Sequence, residues 1–387
     1  MTSTEPTRRS SSTTNADAIE SSAPSTQAIP LGDRPVRVAI LGCGQIADAH
    51  LGQLQRIRFA EVVGVCDSYE DLAYQAGVRF NVPQFTDLDN MLQVAQPDVV
   101  HIATPAHTHA PLAIKLLHAG CHVYVEKPFT LDVAEADRVI EVAANTGRRI
   151  CIGHDQLFDP MWLRARQLVQ SGAIGEARHV ESILGYPIDG KFGALVKGDP
   201  NHWVRKLPGG LFQNTISHPL YRITDLLPDA EPVLLGNWLR RGGLDFPTEL
   251  HIALEGEQVA GSLTFSTHLP PQRITRIYGT RGHLAIDFDG QVIRRAARPR
   301  MPGAFAKLEM PWRGFWDSCG NLGRNMWRFA CGDIHYFAGM KNLFEAFYRS
   351  LQQGTEPPIP VAEIRRVTGL MDRIFEHCRS QDSQETT

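Results

Sequence analysis

Gly42-Cys43-Gly44-Gln45-Ile46-Ala47 is the run whose residue types and spacing point most directly to chemistry. It is a G-x-G-x-x-A turn between the apolar run Val36–Leu41 and a helical stretch from Ile46 to about Arg58. Gly42 permits the tight turn out of a strand, because a residue without Cβ takes such backbone angles cheaply. Gly44 lets a pyrophosphate approach the backbone at Gln45 and Ile46, and Ala47 lets the helix sit close to the strand. The helix N-terminus offers N–H donors and a partial positive charge to phosphates. A second apolar run, Glu61–Cys66, ends on Asp67, where a carboxylate accepts hydrogen bonds from a ribose. A bare glycine-rich turn means little, but strand, turn, helix, second strand and terminal acid occur here in order. The reading is a dinucleotide site that prefers NAD to NADP, since Asp67 repels a 2′-phosphate and no arginine follows it.

Thr104-Pro105 and Glu126-Lys127-Pro128 each follow a short apolar run, Val99–Ala103 and Val123–Val125. They fall at the edge where open α/β sheets bind ligands. A lysine there, near a nicotinamide, can protonate or polarise a substrate oxygen; the alternative for Lys127 is a solvated surface side chain. Pro208–His218 holds Asn214, a neutral hydrogen-bonding amide, and His218, a proton carrier. The preceding Gly185–Leu207 contains Trp203, able to stack on a sugar ring, and Arg205, able to bind a carboxylate or phosphate. The alternative there is a solvated loop with one packed tryptophan. His154 and Asp155 end the last strand of the first domain, facing either substrate or a domain hinge. Among the remaining histidines, His101 and His122 read as core or edge residues. No histidine, cysteine and carboxylate grouping has metal-ligand spacing, so no metal is expected.

Together the turn at 42–47, Thr104-Pro105, His109 and the A-G-x-H-V-x-x-E-K-P run at 119–128 resemble the glucose–fructose oxidoreductase / inositol dehydrogenase (Gfo/Idh/MocA) family. The resemblance implies a Rossmann domain followed by an open antiparallel sheet through which the chain forms a homodimer or homotetramer. It also implies that Lys127 is the active-site lysine, that Glu126 contacts the nicotinamide ribose, that Lys127–Pro128 is cis, and that His109 is a structural or cofactor-side residue. The chain departs from the family's G-G-x-x-x-D-x-G-x-H-x-x-D pattern. Asn214 stands at the first acid, Ile216 at the glycine and Tyr221 at the last acid. Without a neighbouring carboxylate, the imidazolium of His218 is expected to be less favoured. The activity implied is hydride transfer between a nicotinamide and a carbinol carbon of a sugar, polyol or sugar derivative. Retained-NAD glycoside cleavage or elimination, and a non-catalytic NAD-bound sensor, are the alternatives.

The elements that must position these residues follow from pattern. Helical stretches at Tyr69–Phe80, Asp87–Gln96, Pro111–Ala119 and Leu131–Asn145 alternate with the apolar runs, and Arg149–Ile152 closes the series. That alternation argues a doubly wound parallel sheet over 34–154. Past Asp155, one helix (Pro160–Gln170) precedes strand-like runs at Ala177–Leu184, Val233–Arg240, Glu249–Leu254, Val259–Ser266, Arg273–Tyr278, His283–Phe288 and Gln291–Arg295, read without intervening helices. Helices His335–Leu351 and Val361–Arg379 follow. The expectation for 155–387 is an α+β domain with a large, open, mostly antiparallel sheet, its last helices returning to the first domain. Left bare, the open face is expected to expose an apolar patch.

At 387 residues and 43% hydrophobic, the chain can bury a sizeable core. A formal charge of −3 gives no basic field for nucleic acid, and no run of about 18 apolar residues reads as a membrane span. Seven scattered cysteines without a C-x-x-C pair fit free thiols in a reducing compartment. Residues 1–33 are rich in Ser, Thr, Ala and Pro and read as a disordered leader. Arg8-Arg9-Ser10 lacks the apolar segment of an export signal, so the expected location is the cytoplasm, with no membrane partner.

Overall fold

The computed structural model describes residues 30–332 and 337–385. The leader read over 1–33 lies outside the described residues up to residue 29. Leu31 donates its amide to Leu351 O at 3.0 Å.

Six parallel strands form the first sheet: β1 (Val36–Leu41), β2 (Ala60–Cys66), β3 (Gln84–Phe85), β4 (Val99–Ile102), β5 (His122–Val125) and β6 (Ile150–Ile152), in the order β3-β2-β1-β4-β5-β6. β4, β5 and β6 are buried along their whole length, as continuous apolar strands must be when helices cover both faces. The helices are α1 (Gln45–Leu54), α2 (Glu70–Phe80), α3 (Leu88–Ala95), α4 (His109–His118) and α5 (Val133–Thr146). Asp87 caps α3 through the amide of Asn90, and Asp132 caps α5 through that of Glu135. Strand order reverses between β1 and β4, opening a crevice at their carboxyl ends.

The second sheet has seven strands: β7 (Ala177–Gly185), β8 (Val233–Leu239), β9 (Glu249–Glu255), β10 (Ala260–Ser266), β11 (Gln272–Gly279), β12 (Gly282–Asp287) and β13 (Val292–Ala297). Their order is β13-β12-β11-β7-β10-β9-β8, antiparallel except for the parallel pair β7–β10. One face packs on α6 (Pro160–Gln170) and shares its core with helices absent from the sequence reading: α7 (Lys191–Gly198), α8 (Gly210–Thr215) and α9 (Ser217–Thr224). The strands β7 and β8 are therefore not free of intervening helices. Six to eight residues are too few to show a period, yet Leu211, Phe212, Leu220 and Tyr221 are buried. The outward face differs from the apolar patch expected of it. Among the described residues its large exposed apolar side chains are Val233 and Leu235, while His179–Ser262 and Glu181–Arg276 pair across it.

A 26-residue helix, α10 (Phe305–Ala330), also went unread. Pro311, Gly314, Gly320 and Gly323 lie inside it and are ordinarily helix breakers. Then come α11 (Ala338–Gln353) and α12 (Val361–Glu385); the first residues of the expected His335–Leu351 helix fall outside the described residues. Phe344, Phe347 and Tyr348 of α11 complete the core around the parallel sheet. Ile374 and Phe375 of α12 complete the core beneath the second sheet. Each such buried side chain contributes roughly 1.5–3 kcal/mol. Asp372 of α12 accepts the Val133 amide at 2.7 Å, so the last helix ties the two sheets together.

Candidate active site

The glycine turn leaves β1 with Gly42 at φ 94°, and a Cβ there would meet the backbone of Ala103 at 2.8 Å. Gly42 is therefore required by its backbone conformation and by the close approach of the β4 end. Over Gly44 a Cβ would meet nothing within 4 Å, so the space above the turn is open. The amides of Gln45 and Ile46 head α1, where no intrahelical acceptor exists. Asp67, 9% exposed, accepts the Cys43 amide on Oδ2 at 2.7 Å and the Tyr69 amide on Oδ1 at 2.8 Å. It pins the turn and presents its charge at the end of β2. An open space walled by orphan donors and bordered by a fixed carboxylate fits a dinucleotide.

Thr104 and Pro105 lie just past β4, with Thr104 Oγ1 2.6 Å from Thr108 Oγ1. His109 is buried behind them. Its Nδ1 lies 2.8 Å from Pro128 O and its Nε2 2.9 Å from Thr104 O, so one ring ties the β4 loop to the β5 loop. Burial pushes its pKa down against the pull of those two carbonyls. The Lys127–Pro128 bond is cis.

Glu126 heads a buried chain. Burial raises its pKa, but the hydrogen bond from His50 and the charge of Lys127 hold it below the usual value. As a carboxylate it accepts from His50 Nε2 at 2.9 Å. His50 Nδ1 faces His101 Nδ1 at 3.0 Å, and His101 Nε2 faces Tyr348 Oη at 2.7 Å. Burial holds His101 neutral, so one direction satisfies every group. Tyr348 donates to His101, His101 donates to His50, and His50 donates to Glu126. The core reading of His101 misses this role, and His50 escaped the sequence reading altogether; nothing in local spacing marks either.

Lys127 Nζ donates to the backbone oxygen of Asn214 at 3.0 Å. Thus Asn214 meets the lysine through its main chain, which any residue type offers. Burial lowers the Lys127 pKa against the pull of Glu126 and Asp155. His218 Nδ1 lies 2.7 Å from Tyr221 Oη, and Tyr221 donates to Asp155 Oδ1 at 3.3 Å. The expectation that His218 lacks a carboxylate is thereby corrected. Asp155 Oδ1 stands 3.9 Å from His218 Nδ1, supplied by the segment after β6. Burial, then the charges of Lys127, Arg222 and Arg273, hold His218 well below its ordinary pKa, so its ring is neutral. Burial, with Glu126 and Asp159, pushes Asp155 up to about 7. With Asp155 ionised, Tyr221 donates to it and accepts from His218 Nδ1–H and from the Gln156 amide at 3.2 Å. That fixes the tautomer and leaves His218 Nε2 as an acceptor.

His154 is fully buried with both ring nitrogens unpartnered, its ring 4.4 Å from that of Tyr221. Burial drives its pKa down to about 3, which leaves a neutral ring against the relay. Arg205 is placed elsewhere. It pairs with Asp245, covers the Phe246 ring at 4.8 Å and lines a cavity of about 510 Å³ with Pro208–Phe212, Arg240 and Arg379. Neither Lys127 nor His218 lines that cavity. Trp203 stacks on His202 at 5.8 Å, and among the described residues no hydrogen bond or ring contact joins it to Lys127 or His218.

Comparison with known proteins agrees with this fold. The description "Oxidoreductase family, NAD-binding Rossmann fold" matches residues 36–154, and "GFO/IDH/MocA C-terminal domain" matches 162–285. An inositol 2-dehydrogenase of Saccharopolyspora erythraea is 27% identical over 296 residues, 72% of this chain and 84% of its own. The WlbA dehydrogenase of Bordetella pertussis, solved with NADH and UDP-GlcNAcA, superposes with a TM-score of 0.71 at 19% identity, over 91% of this chain and 98% of that one. KijD10, a 3-ketoreductase of Actinomadura kijaniata solved with NADP, superposes at 0.69 and 20% identity, over 88% and 96%. With both halves matched in order around one Rossmann cradle, the chain belongs to the Gfo/Idh/MocA family of oxidoreductases.

Proposed function

We propose that this enzyme moves a hydride between NAD and a carbinol carbon of a sugar, polyol or sugar derivative, with Lys127 and His218 handling the hydroxyl proton. The observation that carries the reading is the meeting of Lys127 with the Asn214 carbonyl and of His218 with Tyr221 and Asp155, at the carboxyl edge of the Rossmann sheet. Gly42, Gly44, Gln45 and Ile46 would cradle the pyrophosphate, and Asp67 would take the ribose hydroxyls. Thr104, Pro105 and Glu126 would line the nicotinamide end, with His109 fixing two of these loops from behind. Bound NAD supplies the hydride acceptor; the protein supplies distance and electrostatics.

The Lys127 ammonium stabilises negative charge on the substrate oxygen. His218 Nε2 accepts the hydroxyl proton, and the charge that forms on the ring is answered through Tyr221 by Asp155. His154 flanks this relay, whereas Arg205 lines the separate 510 Å³ cavity and Trp203 stacks on His202. The fixed charge of Asp67 favours NAD over NADP. Seven free thiols support a cytoplasmic setting, and the outward face of the second sheet is the surface for a homodimer or homotetramer.

The test is absorbance at 340 nm with NAD, and separately NADP, against sugars, polyols, sugar acids and nucleotide sugars. One substrate class reduces NAD, and Lys127→Ala lowers kcat by about 10²–10⁴. Silence across the panel with NAD demonstrably bound refutes net dehydrogenation.

A further inference from the structure

Helix α10 inverts the usual arrangement of a surface helix, which turns its apolar stripe inward. Its buried residues are polar: Glu309, Asn321 and Arg328. Glu309 accepts the amides of Arg300 at 2.7 Å and Met301 at 2.8 Å. Asn321 donates to Ile293 O at 2.8 Å, and Arg328 donates to Gln291 Oε1 at 2.7 Å. The helix is held to β13 by hydrogen bonds, and its aromatic side is left outside.

On that side Phe305 is 63% exposed, Trp312 63%, Trp316 57%, Leu322 62%, Trp327 71% and Phe329 76%. Phe305, Trp312 and Trp316 follow at intervals of seven and four, and Leu322 and Phe329 at seven, which lines each set along the helix. Aromatic side chains of about 150–250 Å² each make this apolar surface on the order of 1,000 Å², against the few hundred usual for a monomer.

Charge identifies what covers it. Between Gln291 and Ala330 lie eight Lys and Arg residues and two acids, in a chain of formal charge −3. Both acids are engaged against the molecule, Glu309 as above and Asp317 on the Arg295 amide at 3.3 Å. Arg294, Arg295, Arg298, Arg300 and Lys307 are exposed, and the Arg295 and Arg300 amides place their segment alongside the helix. Docking a second copy here would bring two like-charged rims together. An anionic bilayer answers both the aromatic stripe and the basic rim, as amphipathic interfacial helices require. No helix among the described residues is long and apolar enough to cross a membrane, so the contact is with the surface alone.

We propose that α10 and its arginine rim form a docking face for an anionic phospholipid surface. The whole protein is tested by co-sedimentation with vesicles of equal phosphatidylglycerol and phosphatidylcholine, and with phosphatidylcholine alone. Partition is expected to be about tenfold or more stronger on the anionic vesicles, and weaker in high salt. The double variant Trp316→Gln/Trp327→Gln, both sites being exposed and its melting curve checked, loses binding to the anionic vesicles. Arg298→Gln/Arg300→Gln lowers the preference for anionic lipid. Absence of binding to anionic vesicles overturns the proposal. So does a concentration-dependent dimer in sedimentation velocity that the tryptophan variant abolishes while vesicles remain unbound, since a second copy then covers the face.

Discussion

The two halves of the site are built from different materials. On the Rossmann side the working parts are backbone amides, a glycine turn and loop residues that follow parallel strands, so contiguous runs such as Gly42–Ala47 and Glu126–Pro128 carry them. On the other side the parts are side chains from separate segments. Asp155 comes from the end of the first sheet, whereas Tyr221 and His218 come from α9. A backbone cradle tolerates many side chains provided its glycines stay. A side-chain relay can exchange its members, which is how a chain with Asn214 at the family's acid position still brings a carboxylate to its histidine.

Asp155→Asn breaks the comparison most sharply among the relay variants. If the carboxylate answers the charge on His218, kcat for oxidation falls by about 10². In the parent enzyme that rate rises as pH passes through about 7, where Asp155 ionises, and the variant lacks this limb. Stability moves the opposite way. The folded pKa lies above the ordinary 3.8, so between about 4 and about 7 the unfolded chain releases its proton first. Native protein then binds more protons, and stability falls as pH rises through that window. The asparagine variant should therefore melt higher than the parent at pH 8, with the gain vanishing near pH 4. Loss of activity together with a lower Tm at pH 8 would mean that Asp155 is a structural anchor instead.

Tyr221→Phe tests the middle of the relay. It removes both the acceptor for His218 Nδ1–H and the donor to Asp155, leaving the two 3.9 Å apart. A loss of about tenfold in kcat with KM little changed is expected, since the hydroxyl serves the charged ring more than substrate binding. An equal rise in KM would place the hydroxyl on the substrate.

The same contrast explains what the sequence disclosed. Both sheets, the cradle at 42–47, Asp67 and the position of Lys127 were legible because each depends on neighbours in the chain. Asp155 with Tyr221 was not, since the pair is 66 residues apart and only folding brings them together. Arg205 read as a ligand for anions because its partner Asp245, 40 residues on, carries no local signal. Helix α10 was hidden by its own glycines and proline, and by a polar stripe that faces inward.

Asp67→Asn probes the cradle side with a smaller effect. Asparagine keeps an acceptor for the Cys43 amide and gives up the one for the Tyr69 amide, so the glycine turn stays pinned while the charge goes. The ratio of kcat/KM for NAD over NADP should drop by about tenfold, as expected for loss of a nearby like charge. An unchanged ratio would mean that selectivity for NAD arises outside the end of β2.

The smallest catalytic effect is expected furthest from the reacting atoms, at Tyr348. Its hydroxyl starts the chain through His101 and His50 to Glu126, and it is fully buried. Tyr348→Phe leaves His101 Nε2 without a donor inside the core, which costs about 1–3 kcal/mol. Glu126 still receives the His50 proton and the Lys127 amide at 3.2 Å, so its position holds. A Tm lowered by several degrees with kcat within about threefold of the parent is the outcome in which the chain is scaffold for Glu126. A collapse of kcat with an unchanged Tm would show instead that buried imidazoles set the charge at the nicotinamide end, making the cradle side as dependent on distant side chains as the relay.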